Sequence, residues 1–176
     1  MWSCNRRIAA IVLVLVPALL ALATSSGCGF QLRGTRHLAF STIALKIPPN
    51  TPFGTELARS IRVGTNTRVV PAGPKAEAVF DLLGDTKDKE VLTMDAQGNA
   101  IQYTLSDTLR FRLVDPKGHE LIEPTTIRVQ RVMSSSDTQT ISKETEDALL
   151  YRDMQSDLVQ QVLDRIAAVK PNANPH

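Results

Sequence analysis

The chain has 176 residues, enough for one domain, with 43% hydrophobic and 22% charged residues, which is typical of a globular protein. Its formal net charge of +2 comes from Arg6 and Arg7, because the remainder of the chain has equal numbers of basic and acidic residues. Nucleic-acid binding needs a strongly basic surface, so the composition argues against that class of protein.

The first 27 residues have the organisation of a cleaved export signal. Two arginines precede residues 8–23, an uncharged run of 16 residues that is short for a bilayer core, which takes about 20 residues. Small residues end this run, and Gly27 directly precedes Cys28. An uncleaved membrane helix and a plain secreted protein are the alternatives. The short apolar run disfavours the first, and the position of the cysteine disfavours the second.

Cys28 is the predicted lipid anchor. Residues 26–28, Ser-Gly-Cys, resemble a bacterial lipobox, although Ser25 occupies the position that usually holds leucine. The resemblance implies cleavage between Gly27 and Cys28, a diacylglycerol on the thiol and an acyl chain on the new amine, enough for stable anchoring. The residue after the cysteine is Gly29 and not aspartate, which resembles lipoproteins that are transported to the outer membrane. Cys4 leaves with the signal, so the mature domain must fold without a disulfide.

The first half of the mature chain predicts two short strands around a helix. Residues 28–43 have little periodicity and are predicted to be the tether that leads into the domain. Strands are predicted at residues 44–47 and 67–70. Between them, Thr51 can cap the start of a helix, and Gly64 is the predicted C-cap at its end. Apolar residues recur every four positions in that helix, at Phe53, Leu57 and Ile61.

The middle of the chain predicts long antiparallel strands. Residues 78–83 and 90–94 are either two strands or one long strand bent at Gly84. Residues 101–113 alternate between apolar and polar side chains, which indicates a strand with one buried face. A turn at Asp115-Pro116-Lys117-Gly118 leads to a return strand at residues 120–133, in which Pro124 marks a bulge or an edge.

The end of the chain predicts a second amphipathic helix, after a polar loop. From residue 144 to residue 169, apolar residues step by three or four positions, and acidic side chains occupy the first turn. Residues 171–176 are predicted to be a flexible tail. The predicted fold is α+β, with two helices on one face of a largely antiparallel or mixed sheet of four to five strands, formed by residues 44–170.

Motifs for catalysis are absent from the sequence. The three histidines are not at metal-ligand spacing from one another or from a cysteine, and there is no phosphate-binding loop or hydrolase motif. Asp85, Asp88 and Glu90 form an acidic cluster that is better explained as a solvated strand or turn. The sequence therefore predicts a protein that is not an enzyme and has no metal or cofactor.

One short segment carries a specific family resemblance. Residues 28–34, Cys-Gly-Phe-Gln-Leu-Arg-Gly, resemble the start of the mature chain in the LptE family of outer-membrane lipopolysaccharide (LPS) assembly lipoproteins. The predicted order of strands and helices resembles the same family over nearly the whole mature chain. The resemblance implies a periplasm-facing, lipid-anchored subunit that binds LPS. It further implies a 1:1 complex with an LptD-type β-barrel, which the subunit plugs and helps to assemble. A generic envelope lipoprotein of structural or assembly-factor type is the alternative.

Arginine and lysine side chains are the candidates for LPS contact, because lipid A carries phosphates on an acylated disaccharide. Arg110 and Arg112 share the polar face of the long strand, and Arg128 and Arg131 lie on the return strand. A solvated sheet face or a face packed on the barrel wall would explain the same pattern. The resemblance also matches Lys143 to a basic position that the family uses toward LPS. A second such position, at the preceding hairpin turn, falls at Ala96. Lys143 can alternatively pair with Asp147, four residues on.

Overall fold

The described part of the chain forms five strands and two helices. In the computed structural model it comprises residues 35–134 and 140–170, with the backbone alone for residues 140–144. The elements are β1 (Thr42–Lys46), α1 (Pro52–Gly64), β2 (Arg68–Val70), β3 (Ala78–Met94), β4 (Ala100–Val114), β5 (Glu120–Ser134) and α2 (Thr140–Ala167). Neither helix within these residues is long and apolar enough to cross a membrane. The predicted signal peptide, Cys28 and the C-terminal tail lie outside the described residues.

The strands form one mixed sheet in the order β2-β1-β3-β4-β5. Both neighbours of β1 run parallel to it, while β3, β4 and β5 are antiparallel to one another. The pairing of β1 with β3 ends at Asp81, after which β3 continues for 13 residues, or about 44 Å at about 3.4 Å per residue. The predicted α+β fold with two helices and a mixed sheet is confirmed.

Irregularities in the strand pairing shape the long strands. A register shift between Leu82 and Gly84 bends β3 without ending it, so the single bent strand is the correct alternative. Pro124 lies in β5, which is the edge strand, beside a further shift in the pairing of β4 with β5. Both positions suit Pro124, because its nitrogen cannot donate a ladder hydrogen bond.

The two helices pack on one face of the sheet and bury the apolar face that the alternation predicts. Phe111 of β4 is fully buried, and its ring stacks on that of Phe80 with 5.1 Å between centroids. Leu158 of α2 is 1% exposed. The predicted burial of Phe111 and Leu158 is confirmed, as is the stripe of α1, formed by Phe53, Leu57 and Ile61.

Packed structure begins earlier in the chain than the sequence predicts. Leu38 and Phe40, within the predicted tether, belong to the core, and β1 begins at Thr42. The Leu38 amide donates to Asn66 Oδ1 at 2.8 Å, and the Thr67 hydroxyl donates to the Phe40 carbonyl at 2.7 Å. These hydrogen bonds join segments about 28 residues apart, so the local sequence periodicity cannot predict them.

The helix boundaries also differ from those predicted. Gly64 is the last residue of α1 and Thr65 is its cap, and the Thr65 amide donates to the Ile61 carbonyl. The second helix begins at Thr140, four residues before the predicted start, and ends at Ala167. Apolar periodicity locates the buried face of a helix but not its terminal residues, which need not face the core.

Candidate functional site

Three of the predicted arginines lie on the open face of the sheet, opposite the helices. In β4, Leu109, Phe111 and Leu113 are buried under the helices, so the side chains of Arg110 and Arg112 project from the other face. Arg128 of β5 pairs with Thr108 of β4 and therefore shares that face. The structure thus brings together the side chains that the alternation in β4 predicts, and adds Arg128 from the neighbouring strand.

The three arginines differ in what their guanidinium groups contact. Arg112 donates from Nε and Nη2 to Asp81 Oδ2 at 3.0 and 2.9 Å, so its charge is already balanced. Arg128 donates to the Ser106 hydroxyl at 3.1 Å, a neutral partner. Arg110 is exposed and makes no ion pair or hydrogen bond with any residue that the structure describes. Arg110 and Arg128 are therefore the cations with charge available for an anionic ligand.

Arg110 and Arg128 are close enough to bind the same anion. Arg110 is paired with Thr126, two residues from Arg128, and such diagonal neighbours are about 7–8 Å apart. On β3, the residue opposite Arg110 is Gly84, which has no side chain to cover it. Arginine side chains attached at this backbone spacing are long enough for both guanidinium groups to donate to a phosphate held between them. We call Arg110 and Arg128 the arginine pair.

The acidic cluster predicted on β3 does not converge on one site. Asp85 pairs with Leu109 and shares its helix-covered face, whereas Asp88 and Glu90 pair with residues of the open face. All three are exposed, in agreement with the interpretation as a solvated strand. Asp88 pairs with Ser106, whose hydroxyl accepts from Arg128, and Glu90 lies farther toward the β3–β4 turn.

Arg131 is on the opposite face from the other candidates. It pairs with Leu105 on β4, whose side chain is buried under α2, and its guanidinium forms an ion pair with Asp157 of α2. An arginine in this position joins the helix to the sheet. The structure therefore separates Arg131 from the arginine pair.

Polar contacts hold the first half of α2 against the extended part of β3. Lys89 Nζ lies 2.6 Å from Asp147 Oδ2, and the Tyr151 hydroxyl donates to the Asp88 carbonyl at 2.9 Å. Burial, followed by the charge of Asp147, raises the pKa of Tyr151, which keeps the phenol protonated as a donor. The local pair proposed for Lys143 and Asp147 competes with this contact, because Asp147 is already bound to Lys89.

Asp107 is a buried carboxyl group that the sequence analysis missed. It lies on the helix-covered face of β4 and is 1% exposed, with Lys87 Nζ 3.8 Å from Oδ2. No donor among the described residues reaches its Oδ1. Burial raises the pKa of Asp107 to about 6, although Lys87 lowers it. The signal was available, because Asp107 occupies an apolar position of the alternation between Leu105 and Leu109.

Exposed apolar side chains concentrate near the β3–β4 turn, a second feature that the sequence analysis missed. Met94 is 59% exposed and Leu92 is 53% exposed, close to the turn at residues 95–99. The other members of this turn cluster are Val91 and Ile101. Clustered apolar side chains on a surface are typical of a contact with another molecule. Ala96, where the family resemblance places a basic residue, lies within the same turn.

The remaining predicted positions are not described by the structure. Lys143 belongs to α2, but its side chain is outside the described part, and Gly27 and Cys28 precede it. Their roles stay predictions. Among the described residues, no three His, Cys, Asp or Glu side chains are grouped so that they could hold a metal ion.

Comparison with known proteins places this architecture in a family. A family model described as LptE, lipopolysaccharide-assembly, matches residues 40–166. The chain belongs to the LptE family. An LPS-assembly lipoprotein LptE from Photorhabdus laumondii is 25% identical to this LptE-family chain over 153 residues, covering 85% of the chain and 82% of the relative. One from Yersinia pestis is 28% identical, covering 85% of the chain and 73% of the relative.

Solved structures of lipoproteins share the fold of this LptE-family chain. The solution structure of lipoprotein B from Nitrosomonas europaea is 32% identical, with a TM-score of 0.70, covering 80% of this chain and 91% of that one. The crystal structure of the rare lipoprotein B from Shewanella oneidensis has a TM-score of 0.65 at 20% identity, covering 72% of this chain and 94% of that one. The second similarity concerns the fold alone.

Proposed function

We propose that this chain is a non-enzymatic outer-membrane lipoprotein that binds LPS and serves LPS delivery together with an LptD-type β-barrel. The observation that carries the proposal is the arginine pair on the open sheet face of a member of the lipopolysaccharide-assembly family. Family membership supplies the process, and the arginine pair supplies a place where the phosphates of LPS can bind.

The arginine pair suits a lipid A phosphate better than the other candidates do. Binding at Arg110 breaks no ion pair with a described residue, and binding at Arg128 displaces a neutral hydroxyl. Arg112 would have to leave Asp81, and Arg131 would have to leave Asp157. The contact of Arg112 with Asp81 is partly buried, so breaking it costs free energy, and Arg112 serves to position Asp81 and its strand. The exposed ion pair of Arg131 with Asp157 lies on the helix-covered face, where Arg131 serves to hold α2. Lys143 remains a candidate for a second phosphate contact.

The turn cluster supports a barrel partner. Long strands that extend past β1 and end in exposed apolar side chains form a projection that can enter a cavity lined by another protein. A plug of this kind would bind one barrel per chain, so we expect a 1:1 complex. Cleavage after Gly27 would free Cys28 for lipidation, and the lipid would hold this chain at the periplasmic side of the outer membrane.

A binding titration of the purified mature protein with LPS tests the arginine pair. Arg110→Gln and Arg128→Gln should each raise the Kd for LPS roughly ten-fold, because each removes a charge-assisted hydrogen bond. Lys117→Gln is the matched control, since Lys117 is an exposed cation at the β4–β5 turn. Equal Kd values for the parent, both arginine variants and the control would contradict the proposal.

A further inference from the structure

The first described residues are fastened to the C-terminal end of α1. The Arg36 amide donates to the Gly64 carbonyl at 2.8 Å. The guanidinium of Arg36 contacts α2: Nε lies 2.9 Å from Asp164 Oδ1, and Nη1 lies 3.1 Å from Gln160 Oε1. The chain that comes from Cys28 therefore joins the folded unit at this end of α1.

The length of the connecting segment limits how far this end can lie from a membrane. Arg36 is eight positions after Cys28, and a fully extended chain spans at most about 3.6 Å per position, or about 29 Å in all. A lipid on Cys28 thus keeps the C-terminal end of α1 within about 29 Å of the lipid headgroups. The β3–β4 turn is farther along the sheet, beyond the 13 residues by which β3 extends past β1.

The same end of α1 carries an exposed apolar residue, and three exposed arginines lie near it in the sequence. Val63 is 80% exposed, more than any other large apolar residue that the structure describes. Arg59 and Arg62 lie one turn and one residue before it, and Arg68 follows on β2. All three arginines are exposed, and none makes an ion pair or hydrogen bond with a described residue. We call these four residues the α1-end patch.

The acidic side chains near the α1-end patch are already bound elsewhere. Glu56, one helical turn before Arg59, accepts hydrogen bonds from Gln155 and Ser156 at 2.7 Å. Asp164 binds Arg36. None of the three arginines forms an ion pair with a described residue, so their guanidinium groups are available to an anionic surface.

From these observations we infer that the α1-end patch rests on the anionic lipid surface of the membrane in which Cys28 is anchored. The inference rests on the proposed lipidation of Cys28. Val63 lies at the depth of the headgroups, and the three arginines donate to lipid phosphates, an arrangement in which basic side chains border an apolar one. Attraction of Arg62 to the negative end of the helix dipole accounts for one of the cations, but not for Arg59, Arg68 or the exposure of Val63.

An environment-sensitive fluorophore on Val63→Cys tests the contact in the full mature lipoprotein. Acylated Cys28 has no free thiol, so a label reacts only at the new cysteine. The protein is placed in vesicles of phosphatidylethanolamine with phosphatidylglycerol, and in vesicles of phosphatidylcholine. Leu149→Cys is the matched control, because Leu149 is an exposed apolar residue in the first half of α2.

The expected result is lipid contact at residue 63 that depends on anionic lipid. Quenching by a headgroup-attached quencher should be at least about three-fold greater at residue 63 than at residue 149 in the phosphatidylglycerol vesicles. Joint replacement of Arg59, Arg62 and Arg68 by Gln should remove most of that difference, while replacement of Arg152 and Lys117 by Gln should not. Circular dichroism confirms that the variants fold.

Three results overturn the inference, and mass spectrometry of residue 28 distinguishes failure of the lipid anchor from failure of the membrane contact. Equal quenching at residues 63 and 149 with Cys28 acylated refutes the contact and leaves the lipid anchor intact. A protein whose Cys28 carries no lipid refutes the anchor on which the inference depends. Quenching at residue 63 that survives loss of the three arginines refutes recognition of anionic lipid.

Discussion

Replacement of Asp107 by Asn should make the domain more stable at neutral pH. Asp107 is buried beneath α2, and its carboxylate has Lys87 as an ion-pair partner 3.8 Å away. Asn has nearly the same shape but no charge to bury. The substitution therefore removes the cost of holding an ionised group in the core and leaves the packing of β4 against α2 unchanged.

The size of the effect follows from the pKa. Burial raises the pKa of Asp107 from 3.8 to about 6 in the folded chain. At about 1.36 kcal/mol per pKa unit, ionisation of Asp107 lowers the free energy of unfolding by up to about 3 kcal/mol. The pKa of about 6 already includes the attraction of Lys87, which lowers it, so loss of that contact needs no separate subtraction. We expect a net gain of about 1–3 kcal/mol at pH 7.5.

The pH dependence has a definite sign. Between about pH 4 and pH 6 the folded chain binds the Asp107 proton more tightly than the unfolded chain does, so this group lowers stability as the pH rises through that window. The advantage of Asp107→Asn should therefore be largest at pH 7.5 and should disappear near pH 4. The difference in the free energy of unfolding between the variant and the parent cancels the contributions of the other carboxyl groups, which both proteins share.

Urea denaturation at pH 7.5 and pH 4.5 measures this difference. Asp153→Asn is the control, because Asp153 is an exposed carboxylate of the same helix layer and its replacement should change stability little at either pH. If Asp107→Asn were less stable than the parent at pH 7.5 by 1 kcal/mol or more, the ion pair with Lys87 would outweigh burial. That result would refute the reasoning.

Three further predictions concern the anchor, the core and LPS recognition. Cys28→Ala should leave an uncleaved precursor without lipid, because the predicted cut requires the modified thiol; fatty-acid labelling equal to the parent would disprove the assignment. Phe111→Ala and Leu158→Ala should each lower the free energy of unfolding by roughly 2–5 kcal/mol, since both side chains are buried; thermal melts that match the parent would show that the buried faces are misassigned. Lys143→Glu should weaken LPS binding several-fold at low salt without loss of stability or barrel association, because it reverses an electrostatic contact; an unchanged LPS affinity at low salt would exclude a role for Lys143.

Local patterns predicted much of the fold because each depends on neighbouring residues alone. The alternation over residues 101–113 identified β4 and its buried face, and the four-residue spacing of Phe53, Leu57 and Ile61 identified α1. The core positions of Leu38 and Phe40 were not predicted, because they depend on hydrogen bonds to residues far along the chain. Contacts of that kind leave no periodic signal.

The candidate site was predictable to a similar extent. Alternation placed Arg110 and Arg112 on one face, but their availability depends on Asp81, a residue of another strand. The separation of Arg131 from Arg128 was within reach of the sequence, since Arg131 is an even number of residues from the buried Ile127 and Arg128 is not. The pairing of Arg110 with Arg128 needed the register of β4 against β5, which the sequence does not specify.

Site-specific photo-crosslinking in living cells tests the central claim that the open sheet face binds LPS. A photoreactive residue at Thr126, which is exposed and paired with Arg110, should give adducts that antibodies to LPS detect. The same residue at Gln161, exposed on α2, should give none. Adducts at Gln161 but not at Thr126, or at neither position while the protein is correctly folded and membrane-bound, would contradict the assignment of LPS to this face.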